Sequence, residues 1–275
     1  MAHSHVKFGL ALGGGGARGF AHIGVMRVLE SEGVKPDMIA GTSIGGLLGA
    51  LFAAGCSSQV AEKFVRDMSI ARLLDLNPLK DMLRLSELKK MLGAHIPKTF
   101  EELPMPLCLT ATDLVTGRGV YLYQGDLLEA IGCTIAFPGA IDPTWVGERL
   151  LTDGGLLNQV PVDALHFLGA NRILAVDVRP LAPLEFSLDD RPIRWWEHLL
   201  GRDRAMTGMQ AMTRSLEIMQ FQMTETRLAM FVPDLVLRPQ MDGIGIFSFN
   251  REKDAIRAGE EVANLHFKPI SEKFK

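Results

Sequence analysis

Twice near its start the chain runs from an apolar stretch through a glycine-rich turn straight into a helical pattern. The stretch ending at Leu12 leads into Gly13-Gly14-Gly15-Gly16-Ala17-Arg18-Gly19, then into Phe20, Ile23, Met26 and Leu29 at helical spacing. The stretch ending at Ala40 leads into Gly41-Thr42-Ser43-Ile44-Gly45 and an uncharged helical run. Apolar strands that turn at once into helices need cover on both faces, which confines the chain to layered α/β folds. The rest of the chain keeps the rhythm. Candidate strands lie at 6–12, 34–40, 107–112, 120–123, 149–152, 172–178 and 235–238. Candidate helices start near Gly19, Ile44, Ser58, Gly125, Pro161, Arg204 and Glu252. This alternation predicts a mostly parallel sheet with helices on both sides.

With 275 residues, 47% of them hydrophobic, the chain can bury a large core as one domain. Its 29 Lys+Arg and 32 Asp+Glu leave a formal charge of −3. No basic block appears, so nucleic acid is excluded as a partner. Cys56, Cys108 and Cys133 form no CxxC pattern and read as buried thiols of a reducing compartment. The opening residues carry no basic-then-apolar leader, so the expected location is cytoplasmic. Residues 38–61 contain no charge and approach the roughly 20 residues that cross a bilayer. Gly41, Thr42, Ser43, Gly45 and Gly46 interrupt them, however, and a buried strand, turn and helix fit better. Residues 64–92 read as helical with a break at Asn77-Pro78. Residues 181–204, with Pro183, Pro192, Trp195 and Trp196, read as an insertion.

The four-glycine loop opens a helix, and N–H groups there attract phosphate or a developing oxyanion. Gly14–Gly19 also fits GxGxxG, and Asp37 lies about 20 residues on, where a ribose-binding acid belongs. A nucleotide-binding oxidoreductase is therefore a competing class. Against it, Arg18 would crowd a pyrophosphate, and Asp37 precedes its strand instead of ending it.

Gly41-Thr42-Ser43-Ile44-Gly45 matches GxSxG between strand and helix, the context of a nucleophile elbow. The plainer reading of Ser43 is a helix cap. A serine nucleophile needs a base. Among seven histidines, His3 and His5 lie at the terminus and His22 lies inside the first helix. His166 is spaced to complete a triad after Asp153, but its helical context turns it towards core or a neighbouring helix. Asp153 ends a strand and is followed by Gly154 and Gly155. It is either a turn cap or the base; a carboxylate of pKa about 4 serves as a base when partly desolvated.

Together, the glycine loop, the GxSxG elbow and Asp153-Gly154-Gly155, in this order, resemble the patatin-like phospholipases, in particular the bacterial group similar to the catalytic domain of neuropathy target esterase. The likeness runs over residues 8–178 and again over 215–264. It implies a three-layer α/β/α sandwich of patatin type as a single domain over 1–275, with 181–231 a candidate lid or insertion. It implies Ser43 as nucleophile and Asp153 as general base without a histidine. It places the oxyanion hole at Gly13, Gly14, Gly15 and Gly16 with Arg18 nearby, and lets Gly41, Gly45, Gly154 and Gly155 shape the turns. The implied substrate is a phospholipid, lysophospholipid or other fatty-acyl ester, with no metal and no cofactor. The third class is a non-catalytic lipid-binding protein on the same fold. Asp113 and Asn158 read as structural polar residues. Gln159 departs from the group, which often has a second Asn there, and 181–204 does not align.

Met206, Met209, Met212, Leu216, Met219, Met223 and Met230 recur at helical spacing. The expected orientation of this stripe is towards the core. The competing expectation is peripheral membrane contact, since methionine adapts to apolar ligands and Trp195 and Trp196 lie upstream among Arg191, Arg194, Arg202 and Arg204.

Overall fold

The computed structural model describes residues 6–74, 81–180 and 208–274. Five strands run parallel: β1 (Phe8–Leu12), β2 (Met38–Gly41), β3 (Leu107–Asp113), β7 (Arg172–Val176) and β8 (Leu235–Leu237). Three more are antiparallel: β4 (Arg118–Leu122) and β6 (Arg149–Asp153) on β3, and β5 (Thr144–Val146) on β6. The helices are α1 (Ala21–Ser31), α2 (Ile44–Ala53), α3 (Ser58–Leu74), α4 (Asp81–Leu92), α5 (Leu127–Thr134), α6 (Val162–Leu168), α7 (Gly208–Met230), α8 (Glu252–Leu265) and α9 (Phe267–Phe274).

Strand alternation builds the layers. Leu10, Leu12, Ile39 and Leu109 pack with Ile23 of α1, Leu47 and Leu51 of α2 and Ile256 of α8. Their chain neighbours Ala11, Ala40 and Cys108 pack with Val162 and Leu165 of α6 and Leu228 of α7. Successive residues of one strand thus feed two cores, so the sheet is sandwiched between helices. The expected mostly parallel α/β sandwich is what the chain forms. β5 and α9 had no signal in the sequence: β5 is three residues long, and α9 continues from α8 with only His266 between them. The Asn77-Pro78 break, Trp195, Trp196 and Met206 lie outside the described residues.

One irregularity of the sheet positions the site. Leu109 of β3 pairs with Leu122 of β4 and with Gly41 of β2; Ala111 pairs with Val120 of β4 and with Asp153 of β6. β2 and β6 therefore share the edge of β3 opposite β4, running head-on towards each other. Their ends, Gly41 and Asp153, stop on either side of Thr110.

Among the described residues, no helix is long and apolar enough to cross a membrane. Residues 38–61 divide into β2, the turn, α2 and the start of α3. Cys108 and Cys133 are buried free thiols, and Cys56 is half-buried.

Candidate active site

Ser43 leaves β2 with φ 55° and ψ −128°. Among the described residues it is the only non-glycine with positive φ. Such a conformation costs of order 1–3 kcal/mol and persists only where its surroundings impose it. They do so here. The Ser43 N–H donates to Thr134 Oγ1 at 2.9 Å, and that hydroxyl donates to the Thr110 carbonyl at 2.6 Å. Thr42 donates from its N–H to Leu12 O at 3.1 Å and from its hydroxyl to Asn158 O at 2.8 Å. Thr110 Oγ1 completes the knot on Thr42 Oγ1 at 2.7 Å. The turn closes only around glycine: a Cβ on Gly45 would lie 2.2 Å from Leu12 O, and one on Gly41 2.5 Å from Gly46 Cα.

Asp153 arrives from the other end of the same edge. It is 2% exposed. Oδ1 accepts the Gly155 N–H at 2.7 Å. Oδ2 has no partner of full hydrogen-bond geometry, yet the Ser43 hydroxyl is close enough to that carboxyl to favour its charged form. Such contacts commonly tighten only with substrate bound. Burial outweighs Ser43 and Gly155 and pushes the Asp153 carboxyl up to about 6. Gly154 must be glycine, because a Cβ there would meet Thr110 Oγ1 at 2.2 Å.

The glycine loop lies alongside, but it does not offer all its donors. Gly13 N–H is taken by Val176 O at 3.0 Å and Gly14 N–H by Gln159 O at 2.9 Å. Ala17 N–H goes to Ile246 O at 2.9 Å. Among the described residues, no acceptor meets the N–H groups of Gly15 and Gly16. Of the expected set Gly13, Gly14, Gly15 and Gly16, the first two already spend their N–H groups within the fold, and the last two keep theirs. Gly16 has φ 57°, and a Cβ on it would lie 2.2 Å from Ile246 O.

Arg18 lies beside this loop. Its N–H closes the turn on Gly15 O at 3.3 Å, and its Nε donates to Ile244 O at 2.7 Å. Its NH2 group is 3.8 Å from Glu217 of α7. Arg18 thus ties the loop to its neighbours. Asp37 is at the far end of the strands: it accepts the Phe8 N–H at 2.7 Å and returns its own N–H to Phe8 O at 2.8 Å. A ribose-binding acid would have to sit beside the glycine loop, so the dinucleotide alternative lacks its second element. His166 is exposed on α6, its ring against that of Phe231.

Next to the site, Asn158 donates to Asp163 at 2.8 Å and accepts from Arg227 Nε at 3.2 Å. Arg227 and the Tyr121 hydroxyl also bond Asp163. A cavity of about 280 Å³ adjoins this network, lined in part by Thr110, Tyr121, Leu157, Met223 and Arg227. Asp113 orders the β3–β4 turn through the Val115 N–H at 3.0 Å and the Thr116 hydroxyl at 2.7 Å.

α7 turns several of its charged side chains inward, beside the buried Leu228. Glu217 faces Arg18, Glu225 meets Arg179 at 2.9 Å and Arg238 at 3.2 Å, and Arg227 meets Asp163. The outer side carries Met212 (53% exposed), Met219 (66%) and Met230 (70%), and Met223 (41%) sits at the mouth of the cavity. The expectation of a core-facing methionine stripe is overturned for Met212, Met219 and Met230. Arg18, Arg179 and Asp163 present charges along the edge, and α7 spends its own charged side chains on them.

Thr110 and Thr134 hold the elbow. Their only signal is a hydroxyl in an otherwise apolar run, at Leu107–Ala111 and Ala130–Ala136.

The chain belongs to the patatin-like phospholipase family, whose sequence profile it matches over residues 10–166. It is 39% identical over 181 residues to an uncharacterized NTE family protein of Mycobacterium bovis, covering 64% of this chain and 50% of that one. Neuropathy target esterase sws of Drosophila melanogaster is 34% identical over 182 residues, 62% of this chain and 13% of that protein. Patatin-like phospholipase domain-containing protein 6 of Mus musculus is 32% identical over 198 residues, 68% of this chain and 15% of that protein. The matched region is thus half or less of these curated relatives. Among solved structures, VipD from Legionella pneumophila shares the fold with a TM-score of 0.54 at 12% identity, covering 96% of this chain and 67% of that one.

Proposed function

We propose that this chain is a serine acyl-ester hydrolase acting on lipid acyl esters, phospholipids or lysophospholipids among them. The observation that carries the reading is the convergence of Ser43, strained at an elbow, and Asp153, buried with one oxygen unpartnered, on the gap beside Thr110. Ser43 Oγ attacks the ester carbonyl and its proton passes to Asp153. The carbonyl oxygen becomes an oxyanion held by the N–H groups of Gly15 and Gly16, commonly the largest single contribution to such catalysis. As the intermediate collapses, the C–O bond to the leaving alcohol breaks and Asp153 returns the proton to it. Water then attacks the acyl-enzyme, giving its proton to Asp153; as that intermediate collapses the Oγ–acyl bond breaks, Asp153 returns the proton to Ser43 Oγ, and the fatty acid is released. A carboxyl raised to about 6 is still ionised at neutral pH and is a stronger base than an exposed aspartate.

Family membership supports lipid as the substrate class, and the outward methionines of α7 support presentation of that substrate at a lipid surface. The non-catalytic alternative would leave an intact elbow and a buried carboxylate without a task. The test is covalent labelling. A fluorophosphonate should add one phosphonyl group to Ser43, seen by intact mass and peptide mapping. Ser43→Ala and Asp153→Asn should each hydrolyse p-nitrophenyl butyrate at under about 1% of the native rate, as for loss of a nucleophile or its base in other serine hydrolases. Labelling at another residue, or a folded Ser43→Ala variant that retains activity, sinks the reading.

A further inference from the structure

His22 is fully buried in the first turn of α1, directly beneath the glycine loop. Its Nε2 is 2.7 Å from Gly13 O. A carbonyl only accepts, so Nε2 carries the proton and Nδ1 carries the lone pair. Nδ1 is buried with no partner. A hydrocarbon of the same size would avoid that cost, so the ring's one hydrogen bond is what a histidine adds here. Burial also drives the ring down to about 4, which keeps it neutral near pH 7.

The bond acts on one peptide group. Gly13 C=O and Gly14 N–H belong to the same plane; His22 holds the first and Gln159 O holds the second at 2.9 Å. Between two glycines such a plane is otherwise free to flip, because no Cβ restricts φ and ψ on either side. A flip would break both bonds and re-aim the Gly15 and Gly16 N–H groups that follow. Gly13 O also packs against the elbow, 2.6 Å from where a Cβ on Gly45 would lie. The other end of the loop is fixed by Ala17 N–H and Arg18 Nε on Ile246 O and Ile244 O. We infer that His22 is a positioning residue for the oxyanion donors: its neutral imidazole locks the Gly13–Gly14 peptide and so aims the N–H groups of Gly15 and Gly16. The inference rests on the hydrolase reading above and assigns His22 no contact with substrate.

The experiment compares His22→Leu, which keeps bulk but no donor, with His22→Gln, whose amide nitrogen can reach the place of Nε2. Three quantities are read: kcat and KM for p-nitrophenyl butyrate, the inhibition constant of a trifluoromethyl ketone that forms a hemiketal oxyanion, and Tm. Outright removal of an oxyanion donor costs about 100–1,000-fold, so misaiming two should cost about 10–100-fold in kcat. In His22→Leu, KM should stay within about twofold and the ketone should weaken by the same factor as kcat/KM. His22→Gln should recover most of both. A folded His22→Leu with native kcat and ketone affinity overturns the inference. So does a kcat loss with unchanged ketone affinity, or a loss that His22→Gln shares in full. Should His22→Leu not fold, the ¹H–¹⁵N imidazole spectrum of the native protein decides: a neutral Nε2–H ring is expected from pH 5 to 9, and an Nδ1–H or charged ring overturns it. A native protein that neither binds the ketone nor reacts with fluorophosphonate refutes the hydrolase reading itself, which is a different outcome.

Discussion

Asp153→Asn should make this protein more stable while abolishing its activity, and the gain should depend on pH. The carboxyl rises from an ordinary 3.8 to about 6 on folding because burial penalises its charge. The folded state therefore holds its proton more tightly than the unfolded chain does. Between those two values the native protein binds more protons than the unfolded, so stability falls as pH rises and levels off above about 6. A displacement of about two pH units at 1.36 kcal/mol each gives roughly 3 kcal/mol as the full cost above pH 7. Local relaxation lowers this, and about 1–3 kcal/mol is the expected range. Asparagine keeps an oxygen for the Gly155 N–H, carries no charge and offers an amide donor to Ser43 Oγ. Urea unfolding at pH 4, 5, 6, 7 and 8 measures the difference between variant and native protein. It should grow from near its minimum at pH 4 to its full value by pH 7. In the native protein, kcat/KM should rise through about pH 6 as Asp153 ionises and then level off. A stability difference independent of pH, or a variant less stable at pH 8, would refute the account of Asp153 as a carboxylate held against its desolvation cost.

Ser43→Gly should raise stability by about 1 kcal/mol, read as an increase in Tm, because glycine adopts a φ of 55° without strain; a fall in Tm would mean that the turn is not strained. Gly16→Ala should cost about 1–3 kcal/mol and lower kcat about 100-fold, since its Cβ has to displace Ile246 O from 2.2 Å; native kcat would show that Gly16 is not a donor. Met212→Glu/Met219→Glu should reduce hydrolysis of phospholipid vesicles at least tenfold while leaving p-nitrophenyl butyrate within about twofold, because a charge on the outward face of α7 opposes contact with lipid. Equal losses on both substrates, or a sharp drop in Tm, would place those methionines in the core. His166→Ala should keep most of the activity in the same esterase assay; a collapse in a folded variant would bring in a histidine that the geometry leaves on α6.

What the amino-acid sequence determined by itself is local. Alternating apolar stretches, glycine turns and helical spacing declare a mostly parallel sandwich, and the Ser43 elbow is legible because its strand, turn and helix are contiguous. Asp153 is legible for the same reason, at the end of a strand and followed by two glycines. What only the tertiary structure decided depends on partners distant in the chain. Which loop donors stay free was settled when Val176 and Gln159 took the N–H groups of Gly13 and Gly14. Arg18 became a tie because Ile244 and Glu217 come to it from the C-terminal part of the chain. The methionines of α7 face outward because Arg18, Arg179 and Asp163 line the edge that the helix covers, and its own charges turn inward to meet them. Helical spacing in a sequence defines which residues share a face, but the neighbour that the face meets is set by the rest of the molecule.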